Sequence, residues 1–266
     1  MSDDKSIRSI SRALAVLRAI NRSSALTLTE IASAAELPYP TALRIVRALV
    51  DEGVIEREPN RKRYRPTPLI QALAYGFQNH DRLVVTARPH IEVLTEKVHW
   101  PISIVTRVGN SMVVRDSTSA QTPLTFNHYY PGWQVPLTVS ASGRAFLAHA
   151  GPEVRRQLVA HYKSIATSAE FATLKAFEEE GEARRILEQG YAAVARTGYS
   201  ANPGRTSSIA VPLFIGDELA GTVTLVFFSA AMPLAEAVKR FVAPLRATAA
   251  AIGADMAALP DELLDD

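Results

Sequence analysis

Cysteine is absent from the 266-residue chain. That excludes disulfides, thiolate metal sites and a cysteine nucleophile, and it fits a reducing cytoplasm. Familiar catalytic signatures are missing as well. The sequence contains no G-x-S-x-G, Walker loop, G-x-G-x-x-G or H-E-x-x-H. Its histidines (His80, His90, His99, His128, His149 and His161) are scattered without paired ligand spacing. No metal, cofactor or enzymatic turnover is therefore expected. No run of about 18 apolar residues occurs, so no membrane-spanning helix is expected. Met1–Ser9 is polar and charged, unlike a signal peptide, and a cytoplasmic location follows. Internal repeats and low-complexity tracts are also lacking.

What remains is ordinary globular composition, 47% hydrophobic and 21% charged, at a length that suggests two domains. The charge is uneven. Residues 1–80 carry 12 Lys+Arg against 8 Asp+Glu, whereas residues 81–266 carry 17 against 19. The basic excess lies in the first third and points to a polyanion partner there, most plausibly nucleic acid.

Periodicity organises that first third. Ile10, Ala13, Leu14, Leu17 and Ile20 form one helical stripe. Thr27-Leu28-Thr29-Glu30 has capping-box spacing ahead of a short helix. Pro38 forces a turn and Pro40 suits the first turn of a helix running from about Thr41 to Glu52, with Ala42, Ile45, Val46 and Leu49 inward. Gly53 stops it. Val54–Arg57 and Tyr64–Pro66 read as strands around a turn at Arg61-Lys62-Arg63. The order of these elements predicts a winged helix-turn-helix. Its third helix would offer Tyr39, Pro40, Thr41, Leu43, Arg44 and Arg47 to base edges and phosphates, with Thr29 on the preceding helix. Arg61, Lys62, Arg63 and Arg65 would follow the phosphate backbone. Arg47 has an alternative partner in Asp51. A three-helix bundle with ordinary surface arginines is the competing reading.

Beyond a linker helix over 68–81 the pattern changes. A helix is expected over Leu83–Val98, then two strands, Ile102–Arg107 and Ser111–Asp116, turning at Gly109-Asn110. A third strand is expected at Leu124–Asn127, and helices at Ser142–His149, Glu153–Tyr162 and Leu174–Gln189. Two strands, Ile209–Phe214 and Thr222–Phe228, turn at Gly216-Asp217, and a closing helix over Pro233–Ala258 is broken or kinked near Pro244. This is an α+β domain on one antiparallel sheet. The predicted division is a DNA-binding domain over 1–67, the linker over 68–81, a second domain over 82–260 and an acidic tail over 261–266.

Ser9–Leu17, Leu28–Ala32, Leu37–Arg44, Glu52–Ile55 and Arg63–Arg65 together resemble the IclR family of bacterial transcription regulators, as do Pro136-Leu137, Ala141–Ala145, Gly190-Tyr191 and Ile209–Leu213. The likeness runs from about Ile7 to Ala258. It implies a winged helix joined to a GAF-like effector-binding domain. It also implies binding to a double-stranded DNA operator as a dimer or tetramer, a small organic or aromatic acid effector, and possible contact with RNA polymerase. The chain departs from the family at Tyr39-Pro40, so no operator sequence carries over. Trp100-Pro101, Met112–Arg115, Leu124–Phe126 with His128, Thr138–Gly143 and Ser208–Leu213 resemble the subgroup that activates catabolism of 3-hydroxyphenylpropionate and related aromatic acids.

Mapped through this likeness, the effector site comprises Val135, Ser140, Ala141, Ser142, Thr206, Ser208, Leu225 and Phe227. Phe126, Asn127 and His128 form a lid. Phe126, Trp133 and Phe227 would supply an apolar wall. The helix start at Ser142-Gly143 would favour a carboxylate through free N–H groups, with Arg115 as counter-charge. Several alternatives stand beside these: Asp116 pairing with Arg115, Leu225 and Phe227 as packed core, and Ser140 and Ser142 as helix caps. A small-molecule-binding protein or hydrolase without DNA function is the alternative for the whole chain.

Overall fold

A computed structural model of the chain describes residues 3–21, 25–59, 61–74, 82–109, 111–125, 130–165, 173–175, 177, 181–195 and 206–259. Two compact units divide it, Met1–Asp81 and Arg82–Asp266.

The first unit contains α1 (Asp3–Asn21), β1 (Leu26–Thr27), α2 (Leu28–Ala34), α3 (Tyr39–Asp51), β2 (Ile55–Arg57) and β3 (Arg63–Pro66). The strands form an antiparallel sheet in the order β1-β3-β2. The three helices close over Val16, Ile20, Leu28, Ile31, Ala42, Val46 and Ile55. The buried stripe of α1 differs from the one expected. Val16, Ala19 and Ile20 are inside, while Ile10 and Leu14 are 61% and 45% exposed. The helix is longer than the core it covers, so its first turns run past the packing surface.

Local chemistry sets the helix-turn-helix angle. Thr27 caps α2: its Oγ1 accepts from Glu30 N–H at 3.3 Å, and its own N–H donates to Glu30 Oε2 at 2.7 Å. Those Thr27 donors hold the Glu30 carboxyl below the ordinary glutamate value, aided by Arg63. The turn into α3 is a Schellman-type closure, with Leu37 N–H donating to Ala32 O. It puts Glu36 in the left-handed region at φ 53°. After β3 the chain enters a 3-10 helix over Pro68–Ala74, where an α-helical linker was expected. Residues 75–81 of that linker lie outside the described residues.

The second unit contains α4 (Arg82–Val98), β4 (Ile102–Val108), β5 (Ser111–Ser117), β6 (Gln134–Val135), α5 (Ala141–His149), α6 (Pro152–Ile165), α7 (Glu182–Gln189), β7 (Ala192–Val194), β8 (Thr206–Ile215), β9 (Glu218–Phe228) and α8 (Leu234–Ala257). Its six strands form one antiparallel sheet in the order β6-β5-β4-β9-β8-β7. One face packs α4 and α8 over Ile102, Ile104, Ile209, Val211, Val223, Leu225 and Phe227. The other packs α5, with α6 and α7, over Val105, Met112, Val114, Leu137 and Ala145.

Several expected elements shift. The helix expected over 174–189 is divided: residues 173–175 and 177 are helical, Gly181 stands at φ 69°, and α7 begins at Glu182. The closing helix runs continuously through Pro244. Leu124 and Thr125 form no strand, and the third strand beside β5 is instead β6. Gly143 is where the α5 entry loop approaches closest: a Cβ there would fall 2.0 Å from Leu137 O.

A candidate DNA interface and a hydroxyl-lined sheet face

Helix α3 is amphipathic, and its buried side is fixed by Ala42 and Val46. Arg44 and Arg47 therefore emerge on the exposed side. Neither has an ion-pair partner among the described residues, so Asp51 does not hold Arg47. Tyr39 is 51% exposed at the helix start, Pro40 and Thr29 are exposed, and Thr41 is half-buried. Leu43 corrects the expectation of an outward contact. It is half-buried and packs against the helical core.

The wing divides its cations into two sets. The side chains of Arg61 and Lys62 are exposed and unpartnered among the described residues, as is that of Arg57 on the edge strand β2. Arg63 and Arg65 are committed internally. Arg63 Nη1 donates to Ala25 O at 2.9 Å, and Nη2 lies 3.9 Å from Glu30 Oε1. Arg65 makes a two-nitrogen contact with Glu56 Oε1 at 2.7 Å. Their expected role as phosphate grips is thus corrected to positioning the wing, because a phosphate contact would first have to displace these carboxylates. Arg57 was overlooked in the sequence because it precedes the basic turn. Its unpaired place opposite Tyr64 in the register is visible only in the fold. Free cations release counterions on binding DNA, at a slope of about 0.9 per phosphate. Lys62→Ala is accordingly expected to lower the log–log salt slope of DNA binding by about 0.9, and Arg65→Ala by much less. Anisotropy titrations between about 50 and 200 mM salt read both.

The second site is built on the α5 face of the large sheet. Ser142 is 2% exposed, and its Oγ lies 2.9 Å from Thr224 Oγ1. Strand register sets Thr224 opposite Ser103, and Ser103 opposite Ser117. Ser103 Oγ donates to Ser117 Oγ at 3.0 Å. Thr206 and Ser208 continue the same face of β8, both half-buried, with Ser208 opposite Val226. Trp133 and Val135 pack at the edge against the same core, and Trp133 meets Tyr130 edge-to-face at 5.4 Å. The result is a sheet face with neutral hydroxyls in a row.

Several assigned residues fall elsewhere. Leu225 and Phe227 point to the opposite face, buried among Ile102, Ile209 and Phe241. Strand alternation forbids them from sharing a face with Thr224. Arg115 is the extra residue of a bulge: Ile104 pairs with Asp116 and Val105 with Val114. Its Nη1 donates to Thr106 Oγ1 at 3.2 Å, away from the hydroxyl row. The amide of Gly143 is already taken by Ser140 Oγ at 3.0 Å, and Ser140 Oγ donates to Pro136 O at 2.6 Å. Ser140 is therefore a cap, and the N–H expected to hold a carboxylate is spent. Ala141 is buried in the same turn. Phe126, Asn127 and His128 lie outside the described residues. Sequence reading missed Ser103, Ser117 and Thr224. Their signal was polar side chains at inward positions of strands otherwise made of Ile and Val.

The bulge has a second consequence. It turns Asp116 toward α4, where Oδ1 accepts from Arg88 Nη2 at 2.5 Å and from Ser117 N–H at 2.8 Å. Asp116 is 1% exposed, and Oδ2 has no partner among the described residues. Burial pushes its carboxyl above the ordinary aspartate value, against the pull of Ser117 and Arg88. A folded-state pKa above the unfolded one means the group's stabilisation is fully present below about pH 4 and is lost as pH rises through the raised value. Asp116→Asn cannot ionise, so its stability relative to wild type is expected to rise from about pH 4 toward neutrality. Urea unfolding of both proteins across that range measures it.

Among the described residues no three His, Asp or Glu side chains gather where they could hold a metal ion. No helix among them is long and apolar enough to cross a membrane. Residues 9–59 match the IclR helix-turn-helix domain, and residues 77–254 match the C-terminal domain of bacterial transcriptional regulator IclR. The HTH-type transcriptional regulator BhcR of Paracoccus denitrificans is 31% identical over 158 residues, which is 59% of this chain and 56% of that protein. The match thus spans little more than half the length of that relative. A crystal structure of an IclR homolog complexed with 4-hydroxybenzoate, from Microbacterium hydrocarbonoxydans, has a TM-score of 0.66 at 25% identity, covering 94% of this chain and all 100% of that one. An IclR family regulator from Brucella abortus has a TM-score of 0.67 at 22% identity, covering 97% and 95%.

Proposed function

Because this chain belongs to the IclR family of DNA-binding transcriptional regulators, we propose that it couples operator binding to a small aromatic or organic acid held on the α5 face of its second unit. The observation that carries this is the hydroxyl row of buried Ser142, Thr224 and Ser103 with half-buried Ser117. Each hydroxyl keeps acceptor or donor capacity after its mutual bond, and O–H donors to a carboxylate make short, strong bonds. Trp133 at the edge supplies apolar surface for a ring. The homolog crystallised with 4-hydroxybenzoate and the subgroup motifs around Trp100 and Thr138–Gly143 favour an aromatic acid of the 3-hydroxyphenylpropionate type, and with it control of aromatic catabolism. Self-assembly and contact with RNA polymerase belong to the same reading.

Thermal unfolding of the full chain with a panel of aromatic acids tests it. A true effector stabilises by about 2.7 kcal/mol at one hundred times its Kd. Thr224→Val keeps the side-chain volume and removes the hydroxyl, and it is expected to weaken that acid roughly tenfold, a cost of about 1.4 kcal/mol. No stabilisation by any acid, or full affinity in Thr224→Val, would move the effector away from this face.

A further inference from the structure

The outer side of α3 changes character along its length. Pro38, Tyr39 and Pro40 are exposed at its start, and Arg44 and Arg47 are exposed further on. Tyr39, Leu43 and Arg47 stand four residues apart on one ridge, and Pro40 leads to Arg44 on the next. Half of the Tyr39 surface is open, at 51%, and its phenol has no hydrogen-bond partner among the described residues. A tyrosine between two prolines is a stiff apolar surface that loses little entropy on contact. Nothing in the helical core requires it there, since Ala42 and Val46 are the buried residues of α3.

Backbone chemistry limits what this end of the helix can meet. A helix start ordinarily offers free N–H groups to an anion. Here Pro40 has no N–H, and those of Thr41 and Ala42 both donate to Pro38 O, at 2.9 and 3.0 Å. A phosphate would find only the Tyr39 amide. The start of α3 therefore suits an apolar group, while the cations one turn on suit a polyanion. Base edges in the major groove display one such apolar group, the 5-methyl of thymine. We infer, on the reading that α3 enters the major groove, that Tyr39 is a specificity-determining residue whose ring packs on the 5-methyl group of one thymine. Arg44 follows Tyr39 by five residues, about 7.5 Å of helix. That span matches about two base-pair steps, so the thymine lies about two base pairs from the guanine that Arg44 meets.

The test uses the full chain and the tightest-binding duplex selected from a random pool. Each thymine of that duplex is replaced singly by deoxyuridine, which deletes only the methyl group. Wild type is expected to lose affinity about fourfold at one thymine position, the worth of one buried methyl. Tyr39→Phe should show the same loss, because the ring and not the hydroxyl makes the contact. Tyr39→Ala should bind the thymine and deoxyuridine duplexes equally, and an exposed residue at a helix start leaves folding intact. The sensitive thymine should lie within about three base pairs of the guanine whose preference Arg44→Ala removes. If no duplex is preferred over the pool, the reading of α3 as a base-contacting helix fails, and the role of Tyr39 with it. A preferred duplex indifferent to deoxyuridine at every thymine would overturn the role of Tyr39 alone. So would a deoxyuridine penalty that survives Tyr39→Ala or disappears in Tyr39→Phe.

Discussion

Arg44→Ala is expected to lower affinity for the operator by roughly 5- to 150-fold, about 1–3 kcal/mol, while random DNA loses much less. The reasoning starts from α3, whose inward side is fixed by Ala42 and Val46. That leaves Arg44 outward with no internal carboxylate to surrender. A free guanidinium can meet the O6 and N7 of guanine in a bidentate contact, which is the source of discrimination. An exposed arginine contributes little to folding, and alanine is the best helix former, so the loss would not reflect instability. Competition binding with operator and random duplexes at one salt concentration separates the effects. Equal losses on both duplexes would reduce Arg44 to a phosphate contact and pass base reading to Tyr39 or Arg47.

Phe227→Ala is expected to destabilise the second unit by about 3–5 kcal/mol. Phe227 is 1% exposed and meets Trp100 edge-to-face, with ring centroids 6.2 Å apart. Its neighbours Ile102, Ile209 and Leu225 belong to the layer beneath α4 and α8. Removing the ring leaves a cavity there that the sheet cannot close without breaking register. Denaturant unfolding measures the loss. Where the variant remains folded, its affinity for an acid should stay close to wild type, unlike that of Thr224→Val. A stable Phe227→Ala protein with abolished acid binding would put the ligand on the α4 face and reverse the assignment of faces made here.

The contrast between Thr224 and Phe227 shows where reading the sequence stopped. Period-two alternation reveals that β9 has two faces, but not which one a short helix such as α5 covers. The likeness to relatives supplied positions without parity. Arg115 failed for a related reason. Nothing in Met112–Ser117 marks Arg115 as the extra residue of a bulge, which takes its side chain off the hydroxyl row and turns Asp116 inward. Partners across the fold were equally hidden. Arg63 and Arg65 look like Arg61 and Lys62 until Glu30 and Glu56 are brought beside them. What was legible was local. The Thr27–Glu30 box, Pro40 at the start of α3, Gly53 at its end and the Gly216-Asp217 turn each act within a few residues, and each appears as expected. The stripe on α1 was legible in period but not in extent, since Ile10 and Leu14 lie beyond the core that Val16 and Ile20 reach.

The most direct test of coupled recognition is fluorescence anisotropy of the full chain on promoter DNA from its own and neighbouring genes. Salt is titrated with and without aromatic acids. The account predicts saturable binding that weakens steeply with salt, prefers one promoter over random DNA, and shifts by about 5- to 150-fold with one acid, a coupling of about 1–3 kcal/mol. Binding that ignores promoter sequence at every salt concentration, or that no acid alters, would contradict it.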